Sequence, residues 1–272
     1  MIMSLSRVLL YALMLIFAFF CMLPIYSAVN IALKSGEELV KGPATLVMRP
    51  TFMSFVKAFK LINKNLVNSI KFTVPATLIS TILGSMSGYA LSKIRFRGAG
   101  VLSFVIILAL YIPPISIMIP LVSFMRHLGL YNTIYGLILT HTAYGMPVTT
   151  LLFRNYYTEI PDEIVESAEI DGCGLFDIYR LILLPLSIPG FIVVLIFQFT
   201  NIWNDFFFGL VLTMGAENQP VTVAVANLEG TTFVARNIHM AGALIAAIPV
   251  LLIYVLLTKW IVRGLLQGAI KR

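Results

Sequence analysis

The sequence predicts an all-α membrane protein with six transmembrane helices, and three observations carry that prediction. Hydrophobic residues fill 59% of the 272 positions and charged residues only 11%, less than half of the roughly 25% charged residues in a soluble domain. Apolar runs of about 20 residues, the length that crosses a bilayer core, recur between cations and turn residues. The acidic residues, finally, are concentrated: seven of the 12 fall within 159–185. In hydrocarbon each of those carboxylates would cost roughly 2.5–3.5 kcal/mol even on lenient insertion scales, so this segment stands in water while its flanks cross the membrane.

A single integral domain, 1–272, is the natural division, with spans at about 8–33, 66–91, 101–124, 133–154, 186–210 and 240–262. The first span is too long, and carries Pro24 too centrally, for a cleaved signal peptide. Residues 34–64 are mixed and polar, with Gly36, Gly42, Pro43 and Pro50 as breakers. Within them, Thr51 to Leu66 reads as a short amphipathic helix with Phe52, Phe55, Phe59 and Ile62 on its apolar side, suited to the membrane surface or the rim of the bundle. The second span holds Gly84 and Gly88 four apart, a spacing that lets another helix approach closely. Lys93, Arg95 and Arg97 crowd the short loop after it.

The third span contains Pro113-Pro114 and Pro120. Prolines at that density break the hydrogen-bond ladder, and freed carbonyls survive only against protein or a wet cavity; a kink in a transport path and a packing kink fit equally well. The fourth span is interrupted by Gly145 and Pro147 and carries His141, which suits a helix–helix hydrogen bond or the border of a cavity. The fifth carries Gln198, Asn201, Trp203, Asn204 and Asp205. Spacings of three and four put Gln198, Asn201 and Asp205 on one face with Asn204 adjoining, and a polar stripe in a spanning helix is costly unless it meets partners or water. Amides and a carboxylate suit sugar hydroxyls, and Trp203 suits a sugar ring face. An interfacial tryptophan with amides bridging helices fits the same pattern.

Residues 159–185 have the grammar of a bounded hook. Pro161 suits the first helical position, where its missing N–H is not needed. Asp162 and Glu163 favour the positive end of the helix dipole, and Gly172 follows the last turn as a left-handed stop. Ile160, Ile164, Ala168 and Asp171 fall near one face. The helix, roughly 11 residues, is too short to span. Gly174 turns the chain into a second short apolar run, which Pro185 breaks before the fifth span.

These residues carry a resemblance. Glu166-Ser167-Ala168, three residues, Gly172, nine residues, Ile182, one residue and Leu184-Pro185 resemble the cytoplasmic "EAA" loop of permease subunits of bacterial and archaeal ATP-binding-cassette importers, with Ser167 in place of the first alanine. Ala90-Leu91, four residues, Phe96, one residue and Gly98, together with Trp203-Asn204, look like the maltose-permease-like sugar branch. The stretch from Gln219-Pro220 through Asn227 and Gly230 resembles glucose- and mannose-type permeases more than maltose-type ones. The resemblance implies the type I ABC importer permease fold. It makes 159–185 a coupling loop whose Glu166, Ser167, Ala168, Asp171, Gly172, Ile182, Leu184 and Pro185 engage an ATPase subunit. It also places Gln219, Pro220, Asn227 and Gly230 in an external loop facing a binding protein. The implied partners are a second homologous permease, two ATPase subunits carrying ATP and Mg, an extracytoplasmic sugar-binding protein and membrane lipid.

Several classes are excluded or disfavoured by the residues themselves. No G-x-x-x-x-G-K-[ST] phosphate loop occurs, so this chain does not hydrolyse ATP by that route, and no nucleophile–base pair or metal cluster stands out. The expectation is a non-catalytic subunit without a cofactor of its own. The net charge of +7 comes without a basic patch interleaved with aromatics, which argues against nucleic acid. Cys21 and Cys173 lie in different environments and suggest no disulfide.

Six spans put both termini on one side, and placing them in the cytoplasm of a multi-pass plasma-membrane protein sets Arg7, Lys93, Arg95, Arg97, Arg154, Arg180, Lys259, Arg263, Lys271 and Arg272 inside. Only Arg126 and Arg236 then fall in short outer loops, as the positive-inside rule asks. The segment 34–64 runs against it, with Lys34, Lys41, Arg49, Lys57, Lys60 and Lys64 outside. The competing readings are an ion-gradient-driven transporter, for which Lys71, His141 and Asp205 are the intramembrane titratable groups, and an importer of a non-sugar solute.

Overall fold

The computed structural model describes residues 5–42, 45–229 and 235–269, and among these it is helical without a strand. The chain divides into two compact units, one of residues 1–64 with 224–248, the other of 65–223 with 249–272.

In the first unit, α1 (Leu5–Ala32) follows the expected first span and carries Pro24 inside it. From Leu9 to Tyr26 its large side chains are exposed all round, and only its end is covered by its own chain. There Ala32, Ala58 and Ala241 pack together, small residues that allow close backbone approach. A short α2 (Gly36–Val40) is capped by Ser35, whose hydroxyl accepts from Glu38 N at 3.3 Å. Lys34 is fully buried, and its ammonium donates to Gly42 O at 2.9 Å and Thr45 Oγ1 at 3.0 Å. This cation organises the loop from within, so it does not belong with the surface charges that orient a span. One of the residues that ran against the expected topology thus has an internal role.

The separate amphipathic helix expected over 51–66 does not exist. It is the first part of α3 (Met53–Lys93), a continuous helix of 41 residues, about 60 Å long at 1.5 Å per residue. The buried positions of that part are Ser54, Ala58, Ile62 and Asn65, so of the expected apolar side only Ile62 is buried, while Phe52 and Phe59 are exposed. Asn65 and Asn68 interrupt the apolar pattern but not the helix. Both are buried, and their amides donate to Gln219 O at 2.9 Å and Glu217 O at 2.6 Å.

In the second unit the third span is two helices, α4 (Ala99–Leu110) and α5 (Met118–His127), joined through a tight turn at Pro114–Ile117 and bent by 96°. The double proline makes this break. Helix α6 (Ile134–Thr158) is capped by Thr133 and runs on past Pro147. Its buried face is polar, with Thr140, His141, Thr142, Thr149 and Thr150, and it meets α3 along glycines. A Cβ on Gly84 would lie 2.0 Å from Thr149 Oγ1, and one on Gly88 2.7 Å from Arg154 N.

The hook is α7 (Asp162–Ile170), α8 (Leu175–Asp177), a wider π-type turn at Ile178–Leu183 and α9 (Leu184–Leu186). Pro161 caps α7 from outside instead of occupying its first turn, a one-residue shift of the kind helix ends commonly show. Pro185 lies inside α9, and the break falls at Ser187, before α10 (Ile188–Trp203), with a 79° bend. Pro189 explains the place: it lacks an N–H and its ring excludes an ordinary helix through the preceding turn. The expected fifth span then ends early, at Asn204, and the Asp205 carboxylate lies before the separate α11 (Phe207–Leu212). The expected loop 214–238 contains α12 (Val221–Glu229), and α13 (Arg236–Ala269) supplies the last span with Pro249 inside it.

Three helices of the described residues are long and apolar enough to cross a membrane, or up to five if each bent pair is one span. Helix α6 is the expected span missing from that set: it has 25 residues, but its threonines and histidine dilute its hydropathy.

Candidate functional site

The hook is seated on the helix bundle by one face of α7. Val165 and Ala168 enter a buried cluster with Tyr89, Phe153, Tyr157, Ile178, Tyr179, Leu183 and Val194, and Ile160, Cys173, Ile182 and Leu184 pack against it. The inward face is therefore centred on Val165 and Ala168, whereas Ile164 and Asp171, expected there, are exposed.

A polar anchor fixes the start of the hook. The buried Lys93 ammonium at the end of α3 ion-pairs with the exposed Asp162 carboxylate and donates to Ile160 O. Its hydrogen bond first, and its charge second, hold the Asp162 carboxyl below the usual carboxylate range. Gly172 closes α7 with φ +88°, a left-handed conformation that glycine adopts without strain. Tyr89 Oη donates to Leu175 O at 3.2 Å, tying the second limb to α3.

The opposite face is free of this chain. Glu166, Ser167, Asp171, Gly172 and Pro185 are exposed, as are the apolar Ile170 (86%) and Phe176 (61%). Large apolar groups standing in water among carboxylates, on an element pinned from behind, have the character of a docking surface. Of the expected coupling residues, Ala168 faces inward and Ile182 and Leu184 are half-buried.

The polar stripe of the fifth span separates into two sets. Gln198 (2% exposed) and Trp203 (1%) are buried within this chain; Trp203 stacks on Phe199 at 5.6 Å. Asn201 and Asn204 are exposed. The Asp205 carboxylate accepts from Phe208 N at 3.0 Å and Gly209 N at 3.3 Å, capping α11. His141 Nε2 lies 3.7 Å from Asp205 Oδ2, with the imidazole stacked on Phe72 and edge-on to Phe208.

A family profile described as "binding-protein-dependent transport system inner membrane component" matches residues 80–267. The chain belongs to this family. It is a permease component of an ABC importer, a multi-pass membrane protein that works with ATPase and binding-protein partners. A probable ABC transporter permease of Pyrococcus horikoshii is 49% identical over 268 residues, covering 98% of each chain. The xylose/arabinose import permease of Haloferax volcanii is 31% identical, covering 96% of this permease and 93% of its own length. Among solved structures, a bacterial ABC transporter involved in alginate import shares the fold, with a TM-score of 0.79 at 23% identity over 95% of this permease and 98% of that chain.

The expected binding-protein-facing residues of the permease have different settings. Pro220 is buried against Gly209, and the Gln219 carbonyl is held by Asn65 and Asn68. Asn227 is exposed, and Gly230 lies outside the described residues. The exposed tip of that segment is instead Met214 to Glu217, held from below by Asn132, whose side chain accepts from Met214 N at 2.8 Å.

Sequence reasoning misses two features of the permease. Lys93 reads as one more topology cation because only the fold brings it to Asp162. The hydroxyls of Ser85, Tyr157, Tyr179 and Ser187, from four separate segments, meet inside the protein, and apolar periodicity carries no trace of them.

Proposed function

We propose that this permease is one of two homologous membrane subunits of a sugar importer, and that 159–185 is the loop by which an ATPase subunit drives it. The observation that carries this reading is the two-sidedness of the hook. Its inner face is locked by Lys93 and the cluster around Tyr157, while its outer face presents Glu166, Ile170, Asp171 and Phe176 to a partner. An element so held moves as a body, as a mechanical coupling element must. The matching socket is an apolar cleft rimmed with basic residues.

Sugar as the cargo is supported by the xylose/arabinose relative and by the Trp203-Asn204 and Ala90-Leu91 signatures. Asn201 and Asn204 are the stripe residues left exposed for a path shared with the second permease. Both termini are assigned to the cytoplasm, with the Met214–Glu217 tip and Asn227 outside toward the binding protein. ATP and Mg belong to the ATPase subunits.

The test is purification from gently solubilised membranes followed by reconstitution. Two ATPase subunits and a second permease are expected to copurify. With ionophores present, vesicles should take up a labelled monosaccharide from a pentose and hexose panel only when ATP and the companion binding protein are supplied. Uptake that follows an ion gradient without ATP would overturn the mechanism; uptake of amino acids or phosphate instead of any sugar would overturn the cargo. Orientation is checked with a Cys21→Ser protein, in which a membrane-impermeant thiol reagent should reach Cys173 only from the cytoplasmic side.

A further inference from the structure

Resting on the reading of 159–185 as the driven loop, we propose that Ser85, Tyr157, Tyr179 and Ser187 are positioning residues that transmit motion of the hook to α10 through a directed chain of hydroxyl hydrogen bonds. All four are buried, Ser85, Tyr157 and Ser187 completely. Ser187 Oγ lies 2.6 Å from Leu183 O and 3.1 Å from Leu184 O, so its proton is committed to these backbone carbonyls and its lone pairs face Tyr157 Oη at 3.3 Å. Tyr157 therefore donates to Ser187 and accepts from Ser85 at 2.6 Å. Ser85 in turn accepts from Tyr179 Oη at 3.1 Å. The chain therefore runs Tyr179, Ser85, Tyr157, Ser187 and on to the Leu183 and Leu184 carbonyls.

The route matters because of what its ends belong to. Tyr179 and Leu183 lie in the π-type turn of the hook's second limb, and Ser187 is the residue at which the chain bends by 79° into α10. Ser85 and Tyr157 belong to α3 and α6, the helices against which the hook is seated. The turn and the bend are thus both referenced to the same two helices through hydroxyls rather than through packing alone. Hydrogen bonds have a narrow range of length and angle, and buried ones are expensive to leave unmade. A displacement of the turn must carry Ser187, and with it the start of α10, or break the chain.

Removing the middle link should uncouple the two ends. Tyr157→Phe leaves the Ser85 proton without its acceptor and Ser187 without its donor, while Tyr179→Phe removes only the first donor. The experiment uses the whole complex in lipid, with hydrogen exchange followed in Asp162–Ile170 and Ile188–Trp203, without nucleotide and after trapping with Mg-ATP and vanadate. In the unaltered complex, trapping should change protection in both segments. In Tyr157→Phe the hook should still respond, whereas the response of α10 should fall by about thirtyfold, the size expected for losing two buried hydrogen bonds; Tyr179→Phe, which loses one, should show a smaller fall of about fivefold. Adding Ser85→Ala to Tyr157→Phe should cause no further loss, because links of one chain are not additive.

An unchanged α10 response in Tyr157→Phe would overturn the proposal. So would equal loss of protection in both segments with and without nucleotide, which marks a merely structural role. If Tyr157→Phe does not assemble, Tyr179→Phe at the end of the chain decides by the same two criteria. Failure of the unaltered hook to respond to nucleotide would sink the coupling reading itself, a result distinct from failure of the chain.

Discussion

Gly145 of α6 lies directly beneath the side-chain amide of Gln198 on α10: a Cβ at position 145 would fall 1.8 Å from Gln198 Nε2 and 3.1 Å from Ser80 Cβ. The glutamine fills the space that the glycine leaves, which explains how a polar side chain in a spanning helix comes to be buried. Gly145→Ala should destabilise the permease by about 1–3 kcal/mol, the usual consequence of overpacking. Adding Gln198→Ala should recover most of that loss, since the clash is with the end of one side chain. Thermal unfolding of the two variants in detergent measures both effects.

Lys93 should govern the mobility of the hook. Lys93→Met removes the bond to Ile160 O and the pair with Asp162. Losing the charged hydrogen bond to Ile160 O, about 1.5–3 kcal/mol net, predicts roughly ten- to 150-fold faster amide exchange in Asp162–Ile170. Asp162→Asn should have a smaller effect, because the carboxylate is exposed and screened.

The same pair fixes the pH dependence. Lys93 depresses the Asp162 carboxyl in the folded protein, so the stabilisation is complete above the ordinary carboxylate value near about 3.9 and is lost as pH falls through the lower folded value. Exchange in the hook, corrected for its intrinsic pH dependence, should be flat between about pH 5 and 8 and accelerate only below about pH 4. Asp162→Asn should abolish that acid step.

Gly172 offers a graded series. Its φ of +88° disfavours side chains, yet a Cβ at this position would have no atom of the chain within 4 Å. If backbone conformation alone matters, Asn should be tolerated best, Ala should cost about 1 kcal/mol and Val more. The expectation is different for ATPase docking: bulk itself should abolish coupling while the protein stays in the membrane. ATPase copurification and ATP-driven uptake, measured beside helix stability for the three variants, separate the two contributions.

Gly84→Ala should be worse than Gly88→Ala. At position 84 the new methyl meets Thr149 at its hydroxyl, at its Cβ (2.6 Å) and at its backbone carbonyl carbon (2.9 Å), each closer than the corresponding atoms at 88, Arg154 N at 2.7 Å, Phe153 Cβ at 2.8 Å and Phe153 C at 3.0 Å. Gly100→Ala, with nothing within 4 Å, is the neutral control. Yields of folded permease in detergent should rank in that order.

How far the sequence reaches depends on the range of the interaction. The hook is legible because its signals are local: Pro161, the acidic first turn, Gly172 and the motif spacing all act within a few residues. The break after Leu110 is legible for the same reason, through Pro113-Pro114. The boundary expected near residue 66, between the amphipathic segment and the second span, is absent: Asn65 and Asn68 sit inside one continuous helix, their amides bonded to carbonyls at 219 and 217 that lie far along the chain. The fifth span misleads in a similar way. Gln198, Asn201 and Asp205 are correctly spaced for one face of a continuous helix, but α10 stops at Trp203, so Asp205 serves as a cap. Lys93 with Asp162, and the four joined hydroxyls, depend on tertiary approach and leave no periodic trace.

The widened turn at Ile178–Leu183 has a consequence for the hook's azimuth. With Leu184 N bonded to Tyr179 O, five residues back, the segment holds one residue more than an ordinary helix would place there. Deleting a single residue between 178 and 183 should let the turn close into a regular helix with the parts before and after it keeping nearly the same relative bearing, whereas a deletion within an ordinary helix would rotate everything before it by about 100° about the axis. The spare residue therefore acts as slack: the limb can carry one residue more or fewer while Glu166 and Ile170 keep the compass bearing at which they meet whatever grips them.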